Sequence, residues 1–139
     1  KMKLLKIIFF LLFISTQSFA NNDFFNQGLA LYQKDDLKKA KFKFEQDLVL
    51  NPKNERSYLY LSKIFNAQKK KKLEEQNLNT VILLNPENEE AIYYLSELML
   101  DKSDYKESKR LVNQLLNSCK NFCKQSKNLK IKKENSQKK

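Results

Sequence analysis

The sequence predicts an all-α fold, built as a stack of three antiparallel helix-turn-helix repeats. Its 139 residues suit one domain, and the single glycine and two prolines make the tight turns of β-hairpins scarce. A six-residue block that begins at Leu50 returns 34 positions later at Leu84, with Asn-Pro in both copies. Between these blocks the apolar residues follow the spacing of amphipathic helices. Together these observations favour a helical repeat protein.

Residues 1–20 have the three parts of a secretory signal peptide. Lysines begin the segment, the apolar run Ile7–Ile14 follows, and Ser18-Phe19-Ala20 places small residues before a cleavage point. A spanning helix needs about 20 apolar residues, which is more than this run contains. The sequence therefore predicts an exported, periplasmic protein that begins at Asn21. A secreted protein and one anchored in a membrane by an uncleaved signal are the alternatives.

Three periods of equal length follow, at 21–54, 55–88 and 89–122. The segment Tyr60-Leu61-Ser62 recurs as Tyr94-Leu95-Ser96 at the same offset, so two separate blocks agree on one period. Polar residues at 34–36 and 102–104 are suited to the turn between two helices. Asn-Pro ends each of the first two copies, because the residue before a proline avoids helical backbone angles.

Small residues occur on the apolar faces, where the two helices of a hairpin must approach closely. The first helices carry Gly28, Ser62 and Ser96, and the second helices carry Ala40 and Ser108. The second copy departs from this pattern, since it has Glu74 at the place of the small residue.

The pattern resembles the tetratricopeptide repeat (TPR) family, whose unit has this same period and combines an aromatic, a Leu-Gly pair, a tyrosine, Ala-x3-Phe and a closing proline. The matching residues are, in copy one, Phe24, Gly28, Leu31, Ala40, Phe44 and Pro52; in copy two, Tyr58, Leu61, Ser62, Phe65, Leu78 and Pro86; and in copy three, Ile92, Leu95, Ser96, Met99, Ser108 and Val112. The resemblance implies a right-handed solenoid and a non-catalytic adaptor or assembly factor of the cell envelope.

The resemblance also implies that the first helices line a concave groove for a peptide or protein partner. The residues expected there are Phe25, Leu29, Tyr32, Arg56, Leu59, Tyr60, Lys63, Tyr93, Tyr94 and Glu97. Members of the family that grip a carboxylate use lysines and asparagines at places occupied here by Phe25, Leu29, Tyr60, Glu90 and Tyr94. An aromatic groove suits an apolar or helical segment instead. The alternative is that these rings pack between adjacent hairpins.

The two cysteines, Cys119 and Cys123, are four residues apart. In a continuous helix this spacing holds the Cβ atoms about 5–6 Å apart, which is too far for a disulfide. The cysteines therefore form a disulfide where the helix is interrupted, or they remain free thiols. The chain has no histidine to activate a nucleophile or to complete a Cys/His zinc site. We expect neither enzyme activity nor a cofactor.

Residues 123–139 are predicted to be a basic, disordered tail. The net charge is +11, and residues 120–139 contribute +7 of it. Such a tail is either simply solvated or makes weak contact with an anionic surface, and the second reading gives an alternative function as a structural tether. The tail lacks arginines and interleaved aromatics, so no specific nucleic-acid binding is expected. The last helix is expected to be uncapped and thus open to a partner or to oligomerisation.

Overall fold

The computed structural model describes residues 23–136, and over this range the chain forms seven helices. They are α1 (Phe24–Gln33), α2 (Leu37–Leu50), α3 (Glu55–Ala67), α4 (Lys71–Leu84), α5 (Glu89–Asp101), α6 (Tyr105–Ser118) and α7 (Cys123–Ser136). The first six pair as three hairpins that stack in chain order, and α7 packs against α5 and α6. The all-α prediction is confirmed. The expected signal peptide lies outside the described residues. Among those described, no helix has the length and apolar character needed to cross a membrane.

Most of the helices begin after an aspartate or asparagine whose side chain accepts a backbone hydrogen bond from the first turn. The capping residues are Asp23, Asp36, Asn54, Asn88 and Asp104. Each such cap is worth about 1 kcal/mol, because it satisfies an N–H group that has no partner within the helix. By contrast, α4 starts after Lys70, which is not of a capping type and makes no side-chain cap hydrogen bond.

The turn inside each hairpin has the same backbone geometry. Asp35, Lys69 and Ser103 occupy equivalent positions in the three repeats, and their φ angles are 60°, 57° and 61°. In the first turn Asp36 N donates to Leu31 O at 3.0 Å, and the other two turns repeat this bond. This is a Schellman ending, which usually has glycine at the left-handed position. The three turns therefore share one backbone conformation although the residue type at this position differs.

Small residues hold the hairpins close, as the sequence predicted. A Cβ atom on Gly28 would lie 2.8 Å from the ring of Phe44, which packs directly against the glycine backbone. Ala40, Ser96 and Ser108 are completely buried at the corresponding contacts. In the third hairpin Ser108 Oγ donates to Ser96 O at 3.0 Å, so the hydroxyl is satisfied within the contact.

A buried carboxylate joins the first hairpin to the second. Asp47 at the end of α2 is 3% exposed and accepts hydrogen bonds from Asn51, Asn54 and Ser57. Two of these donors belong to the recurring Asn-Pro block. The corresponding residue of the next repeat is the buried Val81, so the same junction is polar in one place and apolar in the other.

The prediction of a disordered tail is wrong for residues 123–136, because α7 is a helix docked on the last hairpin. Ser126 is completely buried, and Leu129 is 3% exposed in a cluster with Leu100 and Val112. The expectation of an uncapped last helix fails for the same reason. Among the residues of α7 whose burial is described, 123–132, two that lie one turn apart make its buried side, and lysines surround them.

Candidate peptide-binding groove

The first half of the concave face is filled by aromatic rings. The ring of Tyr60 on α3 stacks on Phe44 at 5.2 Å and meets Tyr32 edge-on at 5.1 Å. Phe25 lies 5.9 Å from Tyr60, and the Arg56 guanidinium covers its other side at 4.2 Å from the ring centroid. Phe25 is only 6% exposed as a result. These rings stabilise the junction between the first two hairpins.

Lys63 lies at the centre of the face, between the second and third repeats. Its Nζ is 2.7 Å from Glu90 Oε1, 4.7 Å from the centroid of Tyr60 and 5.9 Å from that of Tyr94. Burial opposes the charge on Lys63, but the ion pair with Glu90 outweighs burial and raises the pKa of the ammonium. The lysine is therefore charged and fixed in place at neutral pH.

Two cavities open in the second half of the face. One has a volume of about 300 Å³, and its walls include Tyr32 and Lys63. The other has a volume of about 360 Å³, and its walls include Glu97 and Asp101. Tyr94, Asn66 and Glu74 line both cavities. The open part of the groove thus runs along α3 and α5, and its walls combine aromatic, amide and acidic side chains with the lysines Lys63, Lys69, Lys71 and Lys132.

Glu74 lies between the two cavities. Its side chain is 3% exposed, and its Oε1 accepts a hydrogen bond from Asn66 Nδ2 at 2.9 Å. Burial raises the pKa of this carboxyl above its ordinary value, and the negative charges of Asp101 and Glu97 raise it further. The exception to the small-residue pattern therefore contributes to the groove.

Tyr93 connects the groove to α7. Its hydroxyl donates to Glu97 at 2.8 Å, and its ring lies 5.6 Å from Tyr94 and 5.5 Å from Phe122. Burial, with the hydrogen bond to Glu97, raises the pKa of Tyr93 to about 12. A third cavity, of about 170 Å³, separates Tyr93 and Glu97 from the α7 residues Gln125, Asn128, Leu129 and Lys132.

The loop before α7 is closed by a disulfide between Cys119 and Cys123. The helix is interrupted here, since α6 ends at Ser118 and α7 begins at Cys123. Cysteines four residues apart can form a disulfide only where the helix is interrupted, and the helix is interrupted here. Inside the loop, the N–H groups of Lys120, Asn121 and Phe122 donate to the Glu89 carboxylate at 2.6, 2.8 and 3.0 Å. These bonds lower the pKa of Glu89, and the bond from Asn121 has the largest effect.

The residues expected in the groove divide into two sets. Phe25 and Leu59 are 6% and 7% exposed and pack into the core, so they leave little surface for a partner. The other eight are Leu29, Tyr32, Arg56, Tyr60, Lys63, Tyr93, Tyr94 and Glu97, and all of them keep some exposure. Leu59 belongs to the buried cluster that includes Leu78 and Val81 of the neighbouring helix, whereas Tyr60 beside it packs against the cluster of the first two hairpins and keeps some exposure.

Sequence reasoning missed three contributions to the groove. Asn66 follows Lys63 by three residues on the same helix face, so the stripe that includes Lys63 could have revealed it. Glu74 stands out in the sequence only as a departure from the repeat. The residues of α7 carried no signal, because their role depends on how that helix docks.

Comparison of this fold with known proteins gives a consistent result, although no family model and no curated protein matches the sequence. The first TPR domain of Spaghetti (RPAP3), bound to an HSP90 peptide, matches with a TM-score of 0.74 and 15% identity over 84% of this chain and 91% of that one. The Sgt2 TPR domain from Aspergillus fumigatus matches with a TM-score of 0.72 and 18% identity over 86% and 83%.

A bacterial structure is equally similar. The Yersinia enterocolitica secretion chaperone SycD, in complex with a peptide of the translocator YopD, matches with a TM-score of 0.72 and 16% identity, over 86% of this chain and 94% of that one. The chain is therefore an α-helical repeat protein with a concave face. Its repeats have the TPR fold, as the resemblance of the recurring sequence blocks implied.

Proposed function

We propose that the protein is a non-catalytic interaction module of the cell envelope, which holds a segment of a partner protein in its concave groove. The observation that carries the proposal is the pair of cavities around Tyr94, which leaves the second half of the face unfilled. Tyrosine offers a large contact area with a polar tip, and Asn66 and Glu97 offer hydrogen-bonding groups beside it. The wall suits a segment that is partly apolar and partly polar.

The structural neighbours support the same class of function. RPAP3 was solved with an HSP90 peptide and SycD with a peptide of its translocator. At 15% and 16% identity these matches show a shared fold only. The nature of the bound segment must therefore be inferred from the groove of this chain. At the positions where members of the family grip a carboxylate, this chain has aromatic residues such as Tyr60 and Tyr94. It also has Glu90 there, which is paired with Lys63, so the acidic peptide of the RPAP3 complex is a poor model for the ligand.

A photocrosslinking experiment tests the proposal. A benzophenone side chain replaces Glu97 in the groove, and a matched variant carries it at Leu83, which is 81% exposed and outside both cavities. After irradiation in the native host, we expect the first variant alone to yield a crosslink to one defined segment of one protein. Equal crosslinking from both positions would show that the groove is not the binding surface.

Export is tested separately by the intact mass of the protein from its native host. We expect a chain that begins at Asn21, because the segment before it has the parts of a cleaved signal. A mass that includes the apolar segment, in a membrane fraction, would indicate an anchor instead.

A second candidate is a tether to an anionic surface, and the helical form of residues 123–136 is the observation in its favour. Ser126 and Leu129 face the stack, which leaves Lys124, Lys127 and Lys130 exposed on one helix. Electrostatic attachment through these lysines would weaken steeply between 50 and 200 mM salt, on the order of the counterion effects seen with polyanions. Binding of a partly apolar segment in the groove would change little over the same range.

A further inference from the structure

The end of the groove is built by α7, a helix with a small docking surface of its own. Gln125 and Asn128 face Tyr93 and Glu97 across the third cavity. The buried contacts of α7 centre on Ser126 and Leu129, which are one turn apart. Among the described side chains of α7, Leu129 is the one apolar side chain that is buried, so the helix gains little from burial. Its docking therefore depends on how it is connected to the stack.

That connection is the loop between Cys119 and Cys123. The loop directs three successive N–H groups at the carboxylate of Glu89, the first residue of α5. The disulfide joins the two ends of this loop, so it restricts the backbone that makes the three bonds. Phe122, the last residue before the second cysteine, packs against Tyr93 in the groove wall.

We propose that the Cys119–Cys123 disulfide is a redox latch, which keeps α7 docked and thereby completes the end of the groove. The proposal rests on the groove function proposed above and adds its regulation. With the disulfide formed, the loop holds Glu89 and α7 carries Gln125 and Asn128 into the wall. With the disulfide broken, the loop loosens, α7 undocks and the groove loses that end.

The opening reaction requires a dithiol reductant. One thiolate of the dithiol attacks a sulfur of the disulfide, the S–S bond breaks and a mixed disulfide forms. The second thiol of the reductant then displaces the remaining cysteine. The reductant leaves as a cyclic disulfide, and its two protons end on the thiols of Cys119 and Cys123. The protein is reduced by two electrons, and the dithiol is oxidised by two.

The expected size of the effect follows from the short loop. Releasing a closure of about five residues adds disorder to the undocked state and favours it roughly 30-fold in the chain-entropy model. Because α7 is the outermost helix, this change stays local. The loop gives its three backbone hydrogen bonds to Glu89 of α5, so we expect the hairpins α1–α2 and α3–α4 to keep their protection.

Amide hydrogen exchange on the intact protein, with and without dithiothreitol, tests the latch without any partner. We expect amides of 120–132 to exchange roughly 30-fold faster after reduction, while α3 and α4 are unchanged. The double variant Cys119→Ser with Cys123→Ser should exchange like the reduced protein and ignore dithiothreitol. Unchanged exchange in a sample that thiol titration shows to be reduced would overturn the latch. Two free thiols in the protein purified without reductant would also overturn it.

The benzophenone probe at Glu97 then separates the latch from the groove function. Lower crosslinking after reduction, together with faster exchange, supports the full proposal. Faster exchange with no crosslink in either redox state keeps the latch and contradicts the groove function. Faster exchange with undiminished crosslinking contradicts control of the groove by α7.

Discussion

The two halves of the concave face use the same repeat positions, but the first half is filled by packed rings and the second half borders open cavities. Tyr60 and Tyr94 occupy equivalent positions in successive repeats, but Tyr60 is packed among rings and Tyr94 borders two cavities. The neighbours that the preceding repeat supplies explain the difference. Tyr60 meets Phe25, Tyr32 and Phe44, and the residues at the same places one repeat later are Leu59, Asn66 and Leu78. Three aromatics are exchanged for two leucines and an amide, and space opens beside the second tyrosine.

This difference separates stability from recognition along one face. In the first half the rings bury one another, so their main contribution is to the free energy of folding. In the second half Tyr94, Asn66 and Glu97 border empty space, so a partner can supply the missing contacts. A tyrosine at a given repeat position is therefore packed among other rings or left beside open space according to its neighbours.

The strongest way to break the first half is Phe44→Ala. Phe44 is completely buried and packs on Gly28 and Tyr60, so we expect a loss of about 3–5 kcal/mol in the free energy of unfolding. Phe42→Ala on the same helix is the matched control, because Phe42 is 58% exposed and should change stability by less than about 0.5 kcal/mol. Urea unfolding measures both. Similar losses for the two variants would contradict the assignment of the core.

A comparison of Tyr60→Ala with Tyr94→Ala tests the division itself. We expect Tyr60→Ala to cost about 2–3 kcal/mol, since three aromatic contacts are lost, and Tyr94→Ala to cost about half as much. Tyr94→Ala should nevertheless abolish crosslinking from position 97. Thermal melting and crosslink yield are measured on the same samples. A larger stability loss at Tyr94, or full crosslinking without it, would reverse the roles assigned to the two halves.

The sequence was sufficient for the repeat architecture, because periodicity and small residues report on contacts within and between neighbouring hairpins. The Leu-Asn-Pro blocks marked the junctions, and Gly28 marked the close approach to Phe44. It was insufficient for α7. Ser126 and Leu129 are the only buried residues among those described in that helix, and two positions do not make a detectable period.

The groove could be predicted only as a stripe of residues. The resemblance to the TPR family implied that Tyr94 and Glu97 lie on the concave side, but whether a ring is covered depends on side chains from another repeat. Leu59 shows the limit, since it lies beside Tyr60 in sequence and in a different cluster in space. The role of Glu74 was likewise hidden, because its partner Asn66 comes from the facing helix.

The smallest effect is expected from Glu74→Gln, which changes the open half without changing its shape. The Glu74 carboxyl interacts with the negative charges of Asp101 and Glu97 and with the positive charge of Lys71. Its Oε1 accepts a hydrogen bond from Asn66. Its pKa is raised in the folded state, so the folded protein favours the protonated form more than the unfolded chain does. The corresponding stabilisation is present below the unfolded pKa and is lost as the pH rises through the folded pKa.

Glutamine cannot ionise and keeps an acceptor for Asn66, so Glu74→Gln should be more stable than the parent at pH 7. The two proteins should converge near pH 4, where the carboxyl of the parent is largely protonated. Glu75→Gln is the control, because Glu75 forms a surface ion pair with Lys102 at 2.6 Å, and its loss should lower stability by less than about 1 kcal/mol. Urea unfolding at the two pH values measures both variants. If Glu74→Gln is less stable than the parent at pH 7, the surroundings of Glu74 stabilise its ionised form. The carboxylate would then not destabilise the open half of the groove.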